Sequence, residues 1–279
     1  MDNKKPLLPV KYDVIFRLFF ADERNLEDLT GFLKAVLDLP DEDYQEIVII
    51  DPHLLPEYVD DKLAIIDIKL RTKSQKILHI EVQLQVYPAL RNRIIYYGAK
   101  LITEQIGSSD KYSDINKTIS IIITDEILIP TSQKYHHRFT FFDPKAGIEL
   151  TDIIEIYTIE LMKLPDSTDG TALYDWAKFI AAETEEQLET LVQRNPEFGK
   201  PILKLLKLSA DEQARDMFER REKGQRDFNS FVYDAEQKGL AESQKTIALK
   251  LIGRGRPIEE IIEDTGLSRE EIEALQSIG

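Results

Sequence analysis

Two runs of alternating apolar and polar residues, joined by a short polar segment, dominate the pattern of the first third of the chain. They are LAIIDIKL at residues 63–70 and ILHIEVQLQV at residues 77–86. β-Branched residues that alternate around a polar loop are typical of a β-hairpin. Because strand side chains point to opposite faces in turn, one face of the second strand is wholly apolar and the other carries His79, Glu81 and Gln83. The pattern therefore predicts a hairpin with one core face and one polar face.

The turn of this hairpin decides which residues face each other. If Thr72 and Lys76 close it, Asp67 lies opposite Glu81, with Cβ atoms roughly 4.5 to 5.5 Å apart. Like charges in that position destabilise a sheet, so the pair predicts a compensating cation. Residues 62–100 contain eight basic and two acidic side chains, a net charge of +6, and those two acids are Asp67 and Glu81.

The rest of the first 165 residues mixes helix and strand patterns. Apolar residues with the helical period predict helices, and apolar or alternating runs predict strands. The helices are expected at 12–20, 25–37 and 89–106, and the further strands at 46–50, 118–128, 137–142 and 152–161. This order predicts an α/β fold with a mixed central sheet flanked by helices.

Beyond Pro165 the pattern is wholly helical, which predicts an all-helical C-terminal extension. The last residues predict two short helices, with Ser268 as the N-cap of the second and Glu271 completing a capping box. This is the outline of a helix-turn-helix, but its second helix, SREEIEAL, is mostly acidic, which disfavours DNA reading and leaves a partner or dimer contact as the alternative. We divide the chain at residues 165 and 239 into a first domain, a helical extension and a helix-turn-helix-like tail.

The amino-acid composition excludes several kinds of catalytic and metal-binding site. The chain of 279 residues has no cysteine, which excludes disulfides, thiol catalysis and cysteine-ligated zinc. With four histidines, a metal site is expected to use oxygen ligands, which favours Mg²⁺, Mn²⁺ or Ca²⁺. No apolar run approaches the ~18 residues of a membrane span, and the first residues lack the apolar segment of a signal peptide. We therefore expect a cytoplasmic protein without membrane association.

Two carboxylates on adjacent strands can hold a divalent cation against a phosphodiester, and the backbone carbonyl of Val82 can add a ligand. The same spacing also occurs by chance in many sheets, so the residues alone leave this reading open. Asp13 fits either a first-turn acid of its helix or a site role. Arg93 and Tyr97, four residues apart on one helix, fit either a solvated edge or a phosphate contact.

Several blocks of the sequence resemble the PD-(D/E)XK nuclease superfamily, and more closely the branch called PD-(D/E)XK nuclease family transposases, or Rpn family recombination-promoting nucleases. The blocks are KYDVIFRLFF, FLKAVL, DDKLAIIDIKL, ILHIEVQ, RNRIIYYGAKL, LSADEQARDMFERREKGQRD and IEEIIEDTGLSREEIEAL. They occur in this order over almost the whole chain. The resemblance implies a restriction-endonuclease-like fold and a metal-dependent DNA endonuclease that hydrolyses phosphodiester bonds in transposition, recombination or defence against foreign DNA.

The resemblance also implies roles for individual residues. The catalytic residues are Asp67, Glu81 and Gln83, and the ligands of Mg²⁺, with Mn²⁺ and Ca²⁺ as alternatives, are Asp67, Glu81, the Val82 carbonyl and Asp13. The residues expected to contact double-stranded DNA are Arg93, Tyr97 and Lys69. A homo-oligomer through the C-terminal helices is also expected.

Gln83 departs from the superfamily pattern, in which lysine is commonest, although glutamine is usual in this branch. Glutamine can hydrogen-bond a water or a phosphate oxygen but carries no charge. The metal must then supply more of the electrostatic stabilisation. The alternative is a nuclease fold that has lost turnover and serves as a binding or assembly module.

Overall fold

The computed structural model describes residues 5–24, 26–50, 53–54, 64–65 and 67–278. Residues 25, 63 and 66, which the predicted helix and hairpin include, lie outside the described residues. The chain forms two compact units, Met1–Phe218 and Glu219–Gly279. The finer division at residues 165 and 239 stays a prediction.

A mixed sheet forms the centre of the first unit. The described strands are β1 (Val48–Ile50), β2 (His53–Leu54), β3 (Ala64–Ile65), β4 (Ile68–Arg71), β5 (Ile77–Gln83), β6 (Thr118–Thr124), β7 (His136–Asp143) and β8 (Ile148–Glu160). Six of them form one sheet in the order β1-β4-β5-β6-β8-β7, while β2 pairs with β3. The strands β5, β6 and β8 run parallel, and the other pairings in this sheet are antiparallel. The predicted mixed sheet is confirmed.

Helices cover both faces of this sheet. The described helices are α1 (Asp13–Phe20), α2 (Glu27–Val36), α3 (Leu90–Thr103), α4 (Ala172–Ala181), α5 (Glu185–Arg194), α6 (Gly199–Ala210), α7 (Glu212–Gly253), α8 (Ile258–Thr265) and α9 (Arg269–Ile278). The helices α1, α2, α4, α5 and α6 share the main core with one face of the sheet, and α3 packs on the other face. The predicted helical C-terminal stretch is confirmed. No helix in the described ranges has both the length and the apolar character that a bilayer span requires.

Aromatic rings fill the main core where α1 meets α2 and α4. Phe20 is fully buried, and its ring centroid lies 4.7 Å from that of Phe16, 5.5 Å from Phe32 and 5.8 Å from Trp176. The apolar stripe of α1 thus buries large rings against two other helices, which is how an amphipathic helix gains most of its stability. The position of α1 on the sheet therefore depends on α4, which lies far along the chain.

On the opposite face, α3 approaches the sheet closely because Gly98 has no side chain. A Cβ atom at Gly98 would lie 3.0 Å from Cδ1 of Ile154 and 3.8 Å from Oγ of Ser120. This contact holds α3 against the face of β5 that carries His79 and Glu81.

A buried carboxylate joins β8 to its neighbours. Glu155 is 2% exposed, and its oxygens accept hydrogen bonds from Arg138 (2.7 and 3.2 Å), Lys117 (2.6 Å) and Tyr157 (2.8 Å). Burial by itself raises the pKa of Glu155, but these three donors outweigh it and lower the pKa to about 2. At pH values above the ordinary pKa of glutamate, the ionised Glu155 side chain therefore stabilises the folded state.

We expect this contribution to depend on pH. Since the folded pKa of Glu155 is about 2 and the ordinary value is 4.5, the stability is fully present above about pH 4.5 and is lost as the pH falls towards 2. Denaturant titrations should show wild type more stable than Glu155→Gln by on the order of 3 kcal/mol at pH 7. The gap should close as the pH falls to about 2, and a gap that does not change with pH would contradict this assignment.

The second unit contains α8 and α9, which pack with the end of α7 around Ala248, Ile261 and Ile272. Gly266 ends α8 in the left-handed region at φ 70°, where glycine meets no steric penalty. The predicted capping box is confirmed: Ser268 N donates to Glu271 Oε2 at 2.8 Å, and Glu271 N donates to Ser268 Oγ at 3.3 Å.

Candidate active site

The hairpin of β4 and β5 has the predicted register. Its turn is closed by Thr72 N donating to the Lys76 carbonyl at 3.0 Å, and Ile68 pairs with Ile80. Asp67, in the bend just before β4, therefore lies beside the end of β5. Its Oδ2 atom accepts a 2.7 Å hydrogen bond from the backbone N–H of Val82.

A buried acid from outside the hairpin stabilises this turn. Asp43 is 2% exposed and accepts hydrogen bonds from Thr72 Oγ1 (2.9 Å), Ser74 Oγ and Lys76 Nζ (2.8 Å). Although burial acts in the opposite direction, these donors lower the pKa of Asp43 below its ordinary value. Since a one-residue slip would exchange the two faces of the strand, Asp43 helps to keep Glu81 on the side of α3.

Glu81 is buried, and both of its carboxylate oxygens have partners. Arg93 Nη2 donates to Oε1 at 2.8 Å, and His79 Nε2 lies 3.3 Å from Oε2. The other ring nitrogen of His79 lies 3.4 Å from Ser120 Oγ. Arg93 is the compensating cation that the opposed carboxylates predict. Burial by itself lowers the pKa of Arg93, but Glu81 outweighs it and raises the pKa above its ordinary value.

Negative charge concentrates around Asp67. Burial is the largest cause that raises its pKa to about 7, and the carboxylates of Glu81 and Asp13 raise it further. The Val82 N–H and the guanidinium of Arg17 act in the opposite direction. Glu81 and Asp13 are therefore near enough to Asp67 to act on its carboxylate electrostatically.

Asp13 is the first residue of α1, a helix that packs against β5. Its Oδ1 accepts a hydrogen bond from Val14 N at 2.8 Å, and Tyr12 occupies the N-cap position. Asp13 is thus a first-turn acid that also lies near Asp67, and the two readings are compatible. Its role as a metal ligand stays a prediction.

Gln83 is the last residue of β5 and is half-buried. Its carbonyl accepts a hydrogen bond from Asp125 N at 3.2 Å, which joins the ends of β5 and β6. As β5 is a regular strand, the Gln83 side chain lies on the same face as Glu81.

The residues expected to contact DNA are already engaged in the structure. The guanidinium of Arg93 donates a hydrogen bond to Glu81 and stacks 4.9 Å from the ring centre of Tyr97, and the Arg93 side chain is 33% exposed. Lys69 pairs with Glu104 at 3.0 Å, and its side chain is 14% exposed. Their contact with DNA stays a prediction, and the net charge of residues 62–100 overstates the free positive charge because acids from elsewhere in the chain neutralise part of it.

Two residues of this region were not identified as site residues from the sequence. His79 lies against Glu81. Its position two residues before Glu81, on the same face of β5, is the sequence feature that could have identified it. Tyr87 Oη accepts a hydrogen bond from Arg93 Nη1 at 2.9 Å. A tyrosine six residues before the arginine gives no sequence signal, because the chain between them changes direction before α3 begins.

The acid pair can be tested for its fit to a divalent cation. Within the described ranges, no three or more histidine, aspartate or glutamate side chains are placed to hold an ion together. Mg²⁺ is ordinarily bound through one or two carboxylates, with water and substrate phosphate completing its shell. Asp67 and Glu81 supply two carboxylates, and burial, together with the carboxylates of Glu81 and Asp13, opposes ionisation of Asp67. The donor set therefore fits such an ion.

Comparison with known proteins agrees with this geometry. The family model described as PD-(D/E)XK nuclease family transposase matches residues 10–235, which include α1, the hairpin and α3. No curated protein and no solved structure matches the chain significantly. The mixed sheet with helices on both faces is consistent with the PD-(D/E)XK fold. The chain therefore belongs to the PD-(D/E)XK nuclease family transposases, with a nuclease-transposase type of function.

Proposed function

We propose that the protein is a divalent-metal-dependent endonuclease that hydrolyses phosphodiester bonds of double-stranded DNA, in transposition, recombination or defence against foreign DNA. The observation that supports it best is the pair Asp67 and Glu81, brought together by the β4–β5 register at the end of β5. Family membership supports the nuclease chemistry, and metal dependence and the DNA substrate are the further steps of the proposal.

Asp67 and Glu81 would hold the cation, with the Val82 carbonyl and Asp13 as the further predicted ligands. The bound ion would lower the pKa of a water molecule and neutralise charge on the scissile phosphate. Arg93 orients the Glu81 carboxylate through its 2.8 Å hydrogen bond. Such an outer partner keeps a ligand in one rotamer and so lowers the entropic cost of binding the ion.

Gln83 would position the attacking water or a phosphate oxygen. Its amide can donate and accept hydrogen bonds at once, so it can orient a water without changing its charge. The cation would then supply the positive charge that a lysine supplies elsewhere in the superfamily.

Cleavage of supercoiled plasmid tests the proposal. The full chain should convert it to nicked or linear DNA in the presence of Mg²⁺ or Mn²⁺, and EDTA should stop the conversion. Ca²⁺ is included as the third ion because it accepts the same oxygen ligands. Conversion that continues unchanged in EDTA, or no conversion with any of the three ions, would contradict the proposal.

The Gln83→Ala variant should cut about 10- to 100-fold more slowly at saturating Mg²⁺ with nearly unchanged metal affinity, as expected when a group that orients the reacting water is removed. Single-turnover cleavage measures the rate, and calorimetry measures the affinity. The matched control is Gln85→Ala, two residues further along and exposed. Equal rates for the two variants would exclude a positioning role for Gln83.

A second candidate is a nuclease-fold protein without turnover that acts as a binding or assembly module. Its support is that both Glu81 oxygens already have protein partners and that residue 83 is not lysine. Calorimetry with Mg²⁺ discriminates between the two, since an inactive module need not bind the ion or lose binding in Glu81→Ala. A cytoplasmic location and a homo-oligomer through the C-terminal helices stay predictions.

A further inference from the structure

The two cations expected to contact DNA, Lys69 and Arg93, are each held by a carboxylate of the protein itself. Lys69 is paired with Glu104, and Arg93 is paired with Glu81. A guanidinium or ammonium held by a carboxylate has little net charge to offer a phosphate, and moving it would leave the carboxylate without its partner. The cation that binds the substrate strand should therefore be exposed, close to Asp67 and without such a partner.

Arg17 on α1 meets these conditions. It lies one helical turn after Asp13, so the two side chains share a face of the helix. Arg17 is exposed, and among the described residues no side chain forms a hydrogen bond or ion pair with its guanidinium. The helix α1 packs against β5, and the Arg17 guanidinium is near enough to Asp67 to act on its carboxylate electrostatically.

A cleft of about 340 Å³ runs along the same face of α1. It is lined by Val14, Arg17, Leu18, Ala21, Asp22, Arg24 and Met217. The apolar side chains on α1 follow the helical period, so they form one continuous wall beside Arg17.

The charges in this cleft favour an anion at Arg17. Asp22 is occupied by Arg24, with Nε donating to Oδ1 at 2.8 Å and Nη2 donating to Oδ2 at 3.0 Å. The Asp22–Arg24 pair has no net charge, so Arg17 carries the net positive charge of this lining. A polynucleotide strand combines a phosphate for the guanidinium with a sugar for the apolar wall.

We infer that Arg17 binds a backbone phosphate of the DNA strand next to the scissile one, and that the cleft along α1 receives this strand. The inference rests on the proposed endonuclease function and adds a substrate-binding residue to it. A phosphate contact positions the strand without reading its sequence, so Arg17 acts equally on all DNA sequences.

Binding of a fluorescein-labelled DNA duplex to the full chain, measured by anisotropy over a series of NaCl concentrations, tests this inference. Arg17→Ala should raise Kd about tenfold, and the slope of log Kd against log salt should fall by about 1, since one phosphate contact is lost. Arg17→Lys should recover most of the affinity because it keeps the charge. The control Arg71→Ala removes an exposed arginine at the turn end of the hairpin and should change neither quantity.

Steady-state cleavage and thermal unfolding complete the test. Arg17→Ala should raise KM far more than it lowers kcat, with an unfolding temperature equal to that of wild type. Wild-type affinity and salt slope in Arg17→Ala, or a fall in kcat with unchanged Kd, would overturn the inference while leaving the endonuclease function standing. Failure of wild type itself to bind or cut DNA would instead refute the proposed function.

Discussion

The Asp67→Asn variant should keep the wild-type fold and cut plasmid about 10³-fold more slowly. Asparagine has nearly the same shape and can still accept the hydrogen bond from Val82 N, but it is a poor ligand for a divalent cation. Loss of Lewis-acid stabilisation of several kcal/mol corresponds to a rate loss of this order. Nicking rates of supercoiled plasmid in Mg²⁺ measure it.

Stability separates this effect from simple unfolding. Because burial and the carboxylates of Glu81 and Asp13 oppose ionisation of Asp67, removing its charge should leave the unfolding temperature unchanged or raise it. The matched control is Asp41→Asn, whose side chain is 88% exposed and pairs with Lys34. Equal nicking by the two variants would exclude Asp67 from the chemistry.

The Phe20→Ala variant should lose about 3 to 5 kcal/mol of unfolding free energy, as large-to-small changes at fully buried aromatic positions do. Phe20 is 0% exposed and touches the rings of Phe16, Phe32 and Trp176. The loss should appear in chemical denaturation of the full chain, and the unfolding temperature should fall by roughly 10 °C.

Phe142→Ala is the control for this prediction, because Phe142 is 52% exposed on β7. It should cost less than about 1 kcal/mol. A loss of that small size in Phe20→Ala would mean that the rings joining α1, α2 and α4 do not form the core described above.

The hairpin register could be predicted from the sequence because it depends on local chemistry. Alternation assigns each residue of β5 to a face, and the polar turn sets the pairing of β4 with β5. Both signals lie within about 20 residues, and the observed pairing of Ile68 with Ile80 agrees with them. The same applies to the capping box of Ser268 and Glu271, which spans one helical turn.

Several ion pairs could not be predicted in this way, because their partners lie far apart in the chain. Lys76 pairs with Asp43, Lys69 with Glu104, and Lys11 with Asp125 at 2.6 Å. A charge count along the sequence treats such residues as free. The folded structure determines which cations are held in ion pairs and which can contact a phosphate. Arg17 is therefore identified as a phosphate-binding residue from the structure and not from the sequence.

Element ends were also less predictable than element types. The predicted strand 118–128 ends at Thr124, where Thr124 Oγ1 donates to the Glu126 carbonyl at 2.8 Å and the chain turns. The helix α7 runs through residue 239 without a break and ends at Gly253. A single glycine at position 239 costs a helix only about 1 kcal/mol and does not end it.

The central claim is that Asp67 and Glu81 together hold the divalent cation. Anomalous diffraction from crystals of the full chain soaked in Mn²⁺ tests it most directly. The expected result is one strong anomalous peak within coordination distance of a carboxylate oxygen from each of these two residues. A peak bound elsewhere, or no peak at this pair at saturating Mn²⁺, would contradict the claim.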